Sequence, residues 1–329
     1  MEQYRQVIRT QKWITLLGVG LLAIKFGAWY ITGSVAILTD ALESIVNITA
    51  GAITLGSLLV AAKPRDTSHP YGHGKAEFIS AGIEGTLIVV AGLVIFYEAA
   101  IHLIRPSQIT DLDYGLLLVA LSGLANLIAG LWAIRIGRRN KSVAISATGK
   151  HLVSDSISSA GLLLGLAIIF FTGWQWMDSI IAFIFGAIIT ITGLKIIRGS
   201  IAGIMDEADE ALLSRLVNLL NENRRQNWID LHNLRVIKYG NRLHIDCHLT
   251  LPWYLNLNEA NEEVENLEKL IKENYGNLIE FFVHMDGCSP FSCRICDKEP
   301  CPERKYPFTG KVTWTNNNLF ENRNHEFTN

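Results

Sequence analysis

In the first two hundred residues, six long stretches run almost without charge, at roughly 13–31, 34–61, 79–104, 114–136, 144–171 and 177–197. As a helix rising about 1.5 Å per residue, each reaches across about 30 Å of hydrocarbon. Six membrane-spanning helices are therefore expected. Past residue 206 the period changes. Leu212, Leu213, Leu216, Leu219 and Leu220 recur at helical spacing within 207–223, as do Ala260, Val264, Leu267, Leu270 and Ile271 within 258–274, so two amphipathic helices are predicted. Between them Leu231 to Val236 and Leu243 to Leu251 read as strands joined at Gly240-Asn241, and a last strand runs from Ile279 to Met285. The second strand alternates cleanly, with Leu243, Ile245, Cys247, Leu249 and Leu251 on one face and His244, Asp246, His248 and Thr250 on the other.

Charge distribution supports the same division. Of 60 charged residues, 26 fall in 1–200 and 34 in 201–329, which implies two solvents. Three parts follow: a six-span membrane domain over 1–205, a soluble domain over 206–287, and a largely disordered tail over 288–329 that is polar and rich in asparagine. The net charge of −2 and the lack of a basic cluster interleaved with aromatics argue against nucleic acid as a partner. Lys/Arg content alternates from one connection to the next. Arg5, Arg9 and Lys12, then Lys63, Arg65 and Lys75, then Arg135, Arg138, Arg139 and Lys141, then Lys195 and Arg198 all fall on one side, so both termini and the soluble half are expected in the cytoplasm. The first span is too long, and lacks the small-residue site, for a cleaved signal peptide. A plasma (inner) membrane is the simple expectation.

Ionisable groups inside spans are costly and mark function by default. The second span keeps Asp40, Glu43 and Asn47, and the fifth keeps His151 and Asp155. Glu43 and Asn47 are four apart, as are His151 and Asp155, so each pair projects from one helix face. Where the two faces meet, an amide carbonyl, two carboxylates and an imidazole form a four-ligand site for a divalent first-row metal near mid-bilayer. Asp40 lies nearer the outer end. Glu84 and Asn126 have no spaced partner and read as interior packing groups. In the loop after the second span, Asp66, His69 and His73 offer a carboxylate and two imidazoles among turn residues.

Gly33-Ser34-Val35-Ala36 leading to Thr39-Asp40-Ala41 and Glu43-Ser44, the loop His69-Pro70-Tyr71-Gly72-His73-Gly74-Lys75-Ala76-Glu77, and His151 with Asp155 together resemble the cation diffusion facilitator family from about residue 10 to 287. The resemblance implies a proton-coupled exporter of a divalent metal, working as a homodimer, with six spans and a cytoplasmic α+β domain of ferredoxin-like fold. It implies that Asp66, His69 and His73 form an accessory metal site, and that Lys75 pairs with Asp206 to hold two protomers in register. Residues similar to His232, His248, His284 and Asp286 form a metal site in the family's cytoplasmic domain. The family usually has His or Asp, then Asp, where this chain has Glu43 and Asn47, and zinc, iron(II) and manganese all remain open as the transported ion. No cofactor is implied, the metal being both substrate and regulatory ligand. No His-Glu-x-x-His helix and no nucleophile beside a base occurs in a span, so the chain does not read as an enzyme. The competing expectation is a membrane-anchored metal sensor that does not transport.

Cys288, Cys293, Cys296 and Cys301 lie within fourteen residues, beyond the reach of the resemblance. Facing the cytoplasm they stay reduced, which favours thiolate metal binding over disulfides. Zinc and an iron–sulfur cluster are both compatible with the spacing, as is a free, redox-exposed tail.

Overall fold

A computed structural model of the chain describes residues 2–32, 35–104, 113–172, 176–239, 242–276 and 279–326. The chain divides into two compact units, Met1–Met205 and Asp206–Asn329.

The first unit is built of six long helices: α1 (Glu2–Thr32), α2 (Val35–Ala61), α3 (Ala76–Ile104), α4 (Asp113–Arg139), α5 (Val143–Thr172) and α6 (Trp176–Ile204). They coincide with the six apolar stretches but run further at the polar ends, α1 starting at Glu2. Hydropathy marks only what belongs in hydrocarbon, whereas the backbone ladder continues until something interrupts it. Between α2 and α3 that interruption comes from Pro64 and Pro70. Among the described residues, four stretches are long and apolar enough to cross a membrane, Arg5–Gly27, Ala76–Ile101, Ala120–Arg139 and Gly186–Ile204, and a shorter one spans Asn47–Ala61. Leu93, Val94, Leu121, Leu124 and Ile128 stand on the outside, as side chains solvated by lipid must.

Glycines set how closely these helices approach. A Cβ on Gly130 of α4 would lie 2.8 Å from the Gly149 carbonyl oxygen of α5, and one on Gly193 of α6 would lie 2.9 Å from the Gly85 carbonyl oxygen of α3. Lipid tails are as apolar as leucine, so helices in a membrane associate through such close backbone packing. Glu77 at the start of α3 is fully buried and accepts a hydrogen bond from Ser142 Oγ at 2.5 Å, which ties α3 to the start of α5.

The second unit follows the expected order: α7 (Glu210–Glu222), β1 (Asp230–Tyr239), β2 (Arg242–Leu251), α8 (Leu257–Tyr275) and β3 (Ile279–Gly287). Asp209 caps α7 by accepting from Leu212 N–H, and Asn256 with Glu259 forms a capping box on α8. The result is an α+β domain with one sheet in the order β1-β2-β3. β1 and β2 are antiparallel, and β2 and β3 are parallel across the α8 crossover. Gly240-Asn241, expected to turn the hairpin, lies outside the described residues. Leu243, Ile245, Cys247, Leu249 and Leu251 point into a core shared with Leu216 and Leu220 of α7 and Leu267 and Ile271 of α8.

The tail departs from expectation. Instead of being disordered, residues 288–326 fold back onto the sheet. Trp314 and Leu319 are each 1% exposed and belong to the domain core. A 3₁₀ turn spans Pro290–Arg294, and a short helix, α9, spans Asn316–Leu319. Asn233 N–H donates to the Glu321 carbonyl at 2.9 Å, and Asn221 binds the Trp314 backbone through both ends of its amide. Polar composition hides this packing, because a few large apolar anchors are enough once side-chain amides satisfy the backbone between them.

Candidate functional site

Asn47 of α2 and His151 and Asp155 of α5 meet inside the first unit. The Asn47 amide donates to Asp155 Oδ2 at 2.7 Å, and its carbonyl oxygen lies 2.9 Å from His151 Nε2. His151 Nε2 is 3.9 Å from Asp155 Oδ2. Asp155 stands twelve residues into α5, about 18 Å along its axis, so the group sits deep in the span. His151 is buried, and its Nδ1 has no hydrogen-bond partner among the described residues. Glu43 lies in α2 one turn before Asn47, but its side chain and that of Asp40 fall outside the described ones.

A cavity of about 40 Å³ adjoins this group and is lined by Lys25, Ser44, Asn47, Glu84, Asn126, Thr148 and His151, among others. Glu84 and Asn126, expected to be packing groups, are thus part of its wall. Thr54 donates to Glu84 Oε1, and Thr148 donates to the same oxygen at 2.6 Å. The other oxygen, Oε2, is buried with no hydrogen-bond partner among the described residues. Lys25 Nζ donates to Ser44 Oγ at 2.9 Å. Reading by spaced pairs missed Lys25 and set Glu84 aside; the available signal was simply a charge inside a span.

In the loop between α2 and α3, Asp66 Oδ1 lies 3.1 Å from His69 Nδ1, and Asp66 Oδ2 lies 3.4 Å from His73 Nε2. The two rings are 4.3 Å apart. Asp66 also accepts from the His69 and Ser68 N–H groups, and these bonds, the His69 one foremost, hold its carboxyl below the usual range. Lys75 Nζ reaches the Ile204 carbonyl at 3.4 Å, and Asp206 adopts a left-handed backbone with φ 58°. The two residues belong to different units, so their expected pairing remains an expectation.

Sheet register builds a cluster in the second unit. His232, His248 and His284 stand directly opposite one another on three adjacent strands. Successive rings are 5.0 and 4.6 Å apart. Asp286 reaches all three, at 3.5 Å from His232 Nε2, 3.1 Å from His248 Nδ1 and 3.4 Å from His284 Nε2. Burial holds the His232 ring below the usual imidazole range. Among the described residues, two sets have ligand atoms all within 4.8 Å of one another: Asp66, His69 and His73, and His232, His248 and Asp286. His284 joins the second set from its exposed edge.

The folded tail covers part of this face. Asp230, 1% exposed, accepts from His325 N–H at 2.8 Å and lies 2.7 Å from the His325 ring, while Thr250 donates to Asn324 at 3.2 Å. Cys288, Cys293, Cys296 and Cys301 are free thiols lining a separate cavity, and Cys247 is buried on the apolar face of β2. Burial pushes the thiols of Cys288, Cys296 and Cys247 up.

The chain combines a helical membrane unit, in which Asn47, His151 and Asp155 meet between α2 and α5, with an α+β unit whose sheet face is rich in histidine. The chain belongs to the cation efflux family of membrane transporters. Residues 13–205 match the family's "Cation efflux transmembrane domain", and residues 208–288 match "Cation efflux protein, cytoplasmic domain". The cation diffusion facilitator resemblance is thereby confirmed. Over 255 residues the chain is 35% identical to "Uncharacterized transporter sll1263" of Synechocystis sp., covering 77% of this chain and 81% of that protein. Over 295 residues it is 28% identical to "Cation-efflux pump FieF" of Escherichia coli, covering 87% and 94%. Members of the family are transporters rather than enzymes, and the chain is an integral membrane protein of this kind.

Proposed function

We propose that the protein exports a divalent transition-metal ion, zinc, iron(II) or manganese, from the cytoplasm in exchange for protons. The reading rests foremost on the Asn47, His151 and Asp155 group, whose hydrogen bonds join α2 to α5 deep in the span. Glu43, one turn before Asn47, is assigned as the fourth ligand.

The chemistry follows from the donor set. An arriving ion replaces the Asn47 hydrogen bonds to Asp155 and His151, and takes the amide oxygen, an imidazole nitrogen and carboxylate oxygens as ligands. All ligands must be proton-free to hold it, so protons entering from the far side compete it off and restore the hydrogen-bonded arrangement. Rocking of the helices exposes the group to each side in turn. Glu84 and Lys25, on the wall of the adjoining cavity, tune the charge that the incoming cation meets.

In this reading Asp66, His69 and His73 form an accessory site, and His232, His248, His284 and Asp286 bind regulatory metal. The protein works as a homodimer whose protomers are held by the Lys75–Asp206 pair, in the plasma (inner) membrane with both termini cytoplasmic. The test is ion flux into proteoliposomes under an imposed pH gradient, with each metal in turn. Asp155→Ala should abolish flux while size-exclusion chromatography still shows a folded dimer. Wild-type flux in that variant would refute the site, and flux indifferent to the pH gradient would refute proton coupling.

A further inference from the structure

The segment that follows β3 begins at residue 288, where the stretch matching the family's cytoplasmic domain ends, and it carries four of the five cysteines, three of them beyond that match. Cys288 is anchored at the sheet by its N–H, which donates to the Leu251 carbonyl at 2.8 Å. Cys293 lies in the 3₁₀ turn, and Cys296 and Cys301 follow on the loop that leaves it. All four line one cavity of about 60 Å³ walled by Trp253 and Tyr254. None of His232, His248, His284 and Asp286 lines it, so this is a separate place in the domain.

Two of the sulfurs face a donor. Lys305 N–H donates to Cys293 Sγ at 3.4 Å, and Tyr254 O–H lies 3.8 Å from Cys301 Sγ. Burial favours the protonated thiols of Cys288 and Cys296, so an arriving ion must displace their protons as it binds. Arg304 holds the loop in shape, its guanidinium donating to the carbonyls of Cys293, Cys296 and Lys298 at 3.1, 3.2 and 2.8 Å. The same guanidinium, with Lys298 and Lys305 on the cavity wall, supplies positive charge against an anionic centre.

We propose that Cys288, Cys293, Cys296 and Cys301 bind one zinc-class divalent ion as four thiolates, and that this ion fastens residues 288–326 to the cytoplasmic sheet. No three of the four sulfurs lie within 4.8 Å of one another before the ion binds, so the loop must close as Zn–S bonds of about 2.3 Å draw the sulfurs to about 3.8 Å apart, the separation of a tetrahedral site. No redox step is involved. The ion gives up its waters, each thiol that enters as S–H loses its proton to solvent, and four S–Zn bonds form. The fastening follows from position, because Cys288 is tied to β2 while Cys301 leads into the stretch that ends at Trp314 and His325.

The test uses the full chain, purified in detergent, reduced and stripped of metal. Cobalt(II) added to it should produce thiolate-to-cobalt charge-transfer absorption in the near ultraviolet that saturates at one ion per chain and disappears when zinc displaces the cobalt. The other candidate sites hold only nitrogen and oxygen donors and give no such band. Cys293→Ser with Cys296→Ser should abolish it; should that double variant fail to fold, Cys301→Ser must weaken the band, leaving three thiolates. Zinc should slow protease cleavage between residues 288 and 326 in the wild type only. Absence of the band, a band unchanged in the serine variants, iron–sulfur absorption in the protein as purified, or cleavage indifferent to zinc would each overturn the proposal.

Discussion

The close approach of α4 and α5 places a quantitative demand on one residue. Gly149 lies two residues before His151 and next to Thr148, whose hydroxyl holds Glu84. A Cβ at Gly149 would lie 2.7 Å from both the Ile134 backbone nitrogen and its Cγ1, and 2.8 Å from the Gly130 carbonyl oxygen. Ordinary contact begins at 3.4 Å, so Gly149→Ala forces the two backbones apart by about 0.6 Å, since two of the three atoms in the way are main chain. Overpacking of this kind costs about 1–3 kcal/mol. Alanine returns up to about 1 kcal/mol through helix propensity, which leaves stability nearly unchanged or modestly reduced. Function is affected more, because the displaced segment of α5 carries His151 and Asp155. If the metal-bearing geometry is harder to reach by about 1.4 kcal/mol, the ion concentration for half-maximal flux rises about tenfold. Concentration-dependent flux in proteoliposomes measures this directly, with Gly199→Ala as control, since a Cβ at Gly199 meets nothing within 4 Å. Unchanged concentration dependence in Gly149→Ala, together with an unchanged melting temperature, would refute the claim that helix spacing sets the ligand geometry.

Two further outcomes concern the cytoplasmic unit. Trp314→Ala removes a side chain that is 1% exposed, stacks under Arg224 at 4.0 Å and contributes to the domain core, so it should cost about 3–5 kcal/mol and release the segment after β3. Thermal unfolding and limited proteolysis would read this, and a segment as protease-resistant as wild type would contradict its place in the core. Docking of the same segment should also weaken as pH rises. Burial alone would lower the His325 pKa, but the Asp230 carboxylate outweighs it and the net shift is upward. The protonated ring is therefore favoured in the docked state. Its contribution is complete below the ordinary imidazole value of about 6.5 and is lost as pH climbs through the raised one. His232 contributes with the opposite sign, its neutral form being favoured by burial, so the His325→Asn variant isolates the effect. Protease release of the segment that is flat across this range in the wild type, or equally pH-dependent in His325→Asn, would exclude the His325–Asp230 pair as its cause.

Several features were legible along the chain because they rest on period and spacing. Six apolar stretches became six helices, the alternation in 243–251 became a sheet with one buried face, and pairs four apart brought Asn47, His151 and Asp155 to one place. His232, His248, His284 and Asp286 also converge as expected. What tied them together was strand register, which aligns the three histidines across β1, β2 and β3. Other features depended on tertiary contact alone. A helical period orders residues around one axis but does not say which neighbouring helix they meet, so Lys25, Glu84 and Asn126 joined the wall of the membrane cavity only once α1, α2, α3, α4 and α5 were packed. Composition likewise averaged away the anchors of the segment after β3. Trp314 and Leu319 gain their burial from the surface left open by α7 and β1, and Asp230 and Thr250 lose their exposure to His325 and Asn324, residues far away in sequence. Local pattern determines which elements form and which face of each is apolar; which faces meet is a matter of long-range packing, and here that packing decided how the polar sheet face is covered and how four cysteines come to share one cavity.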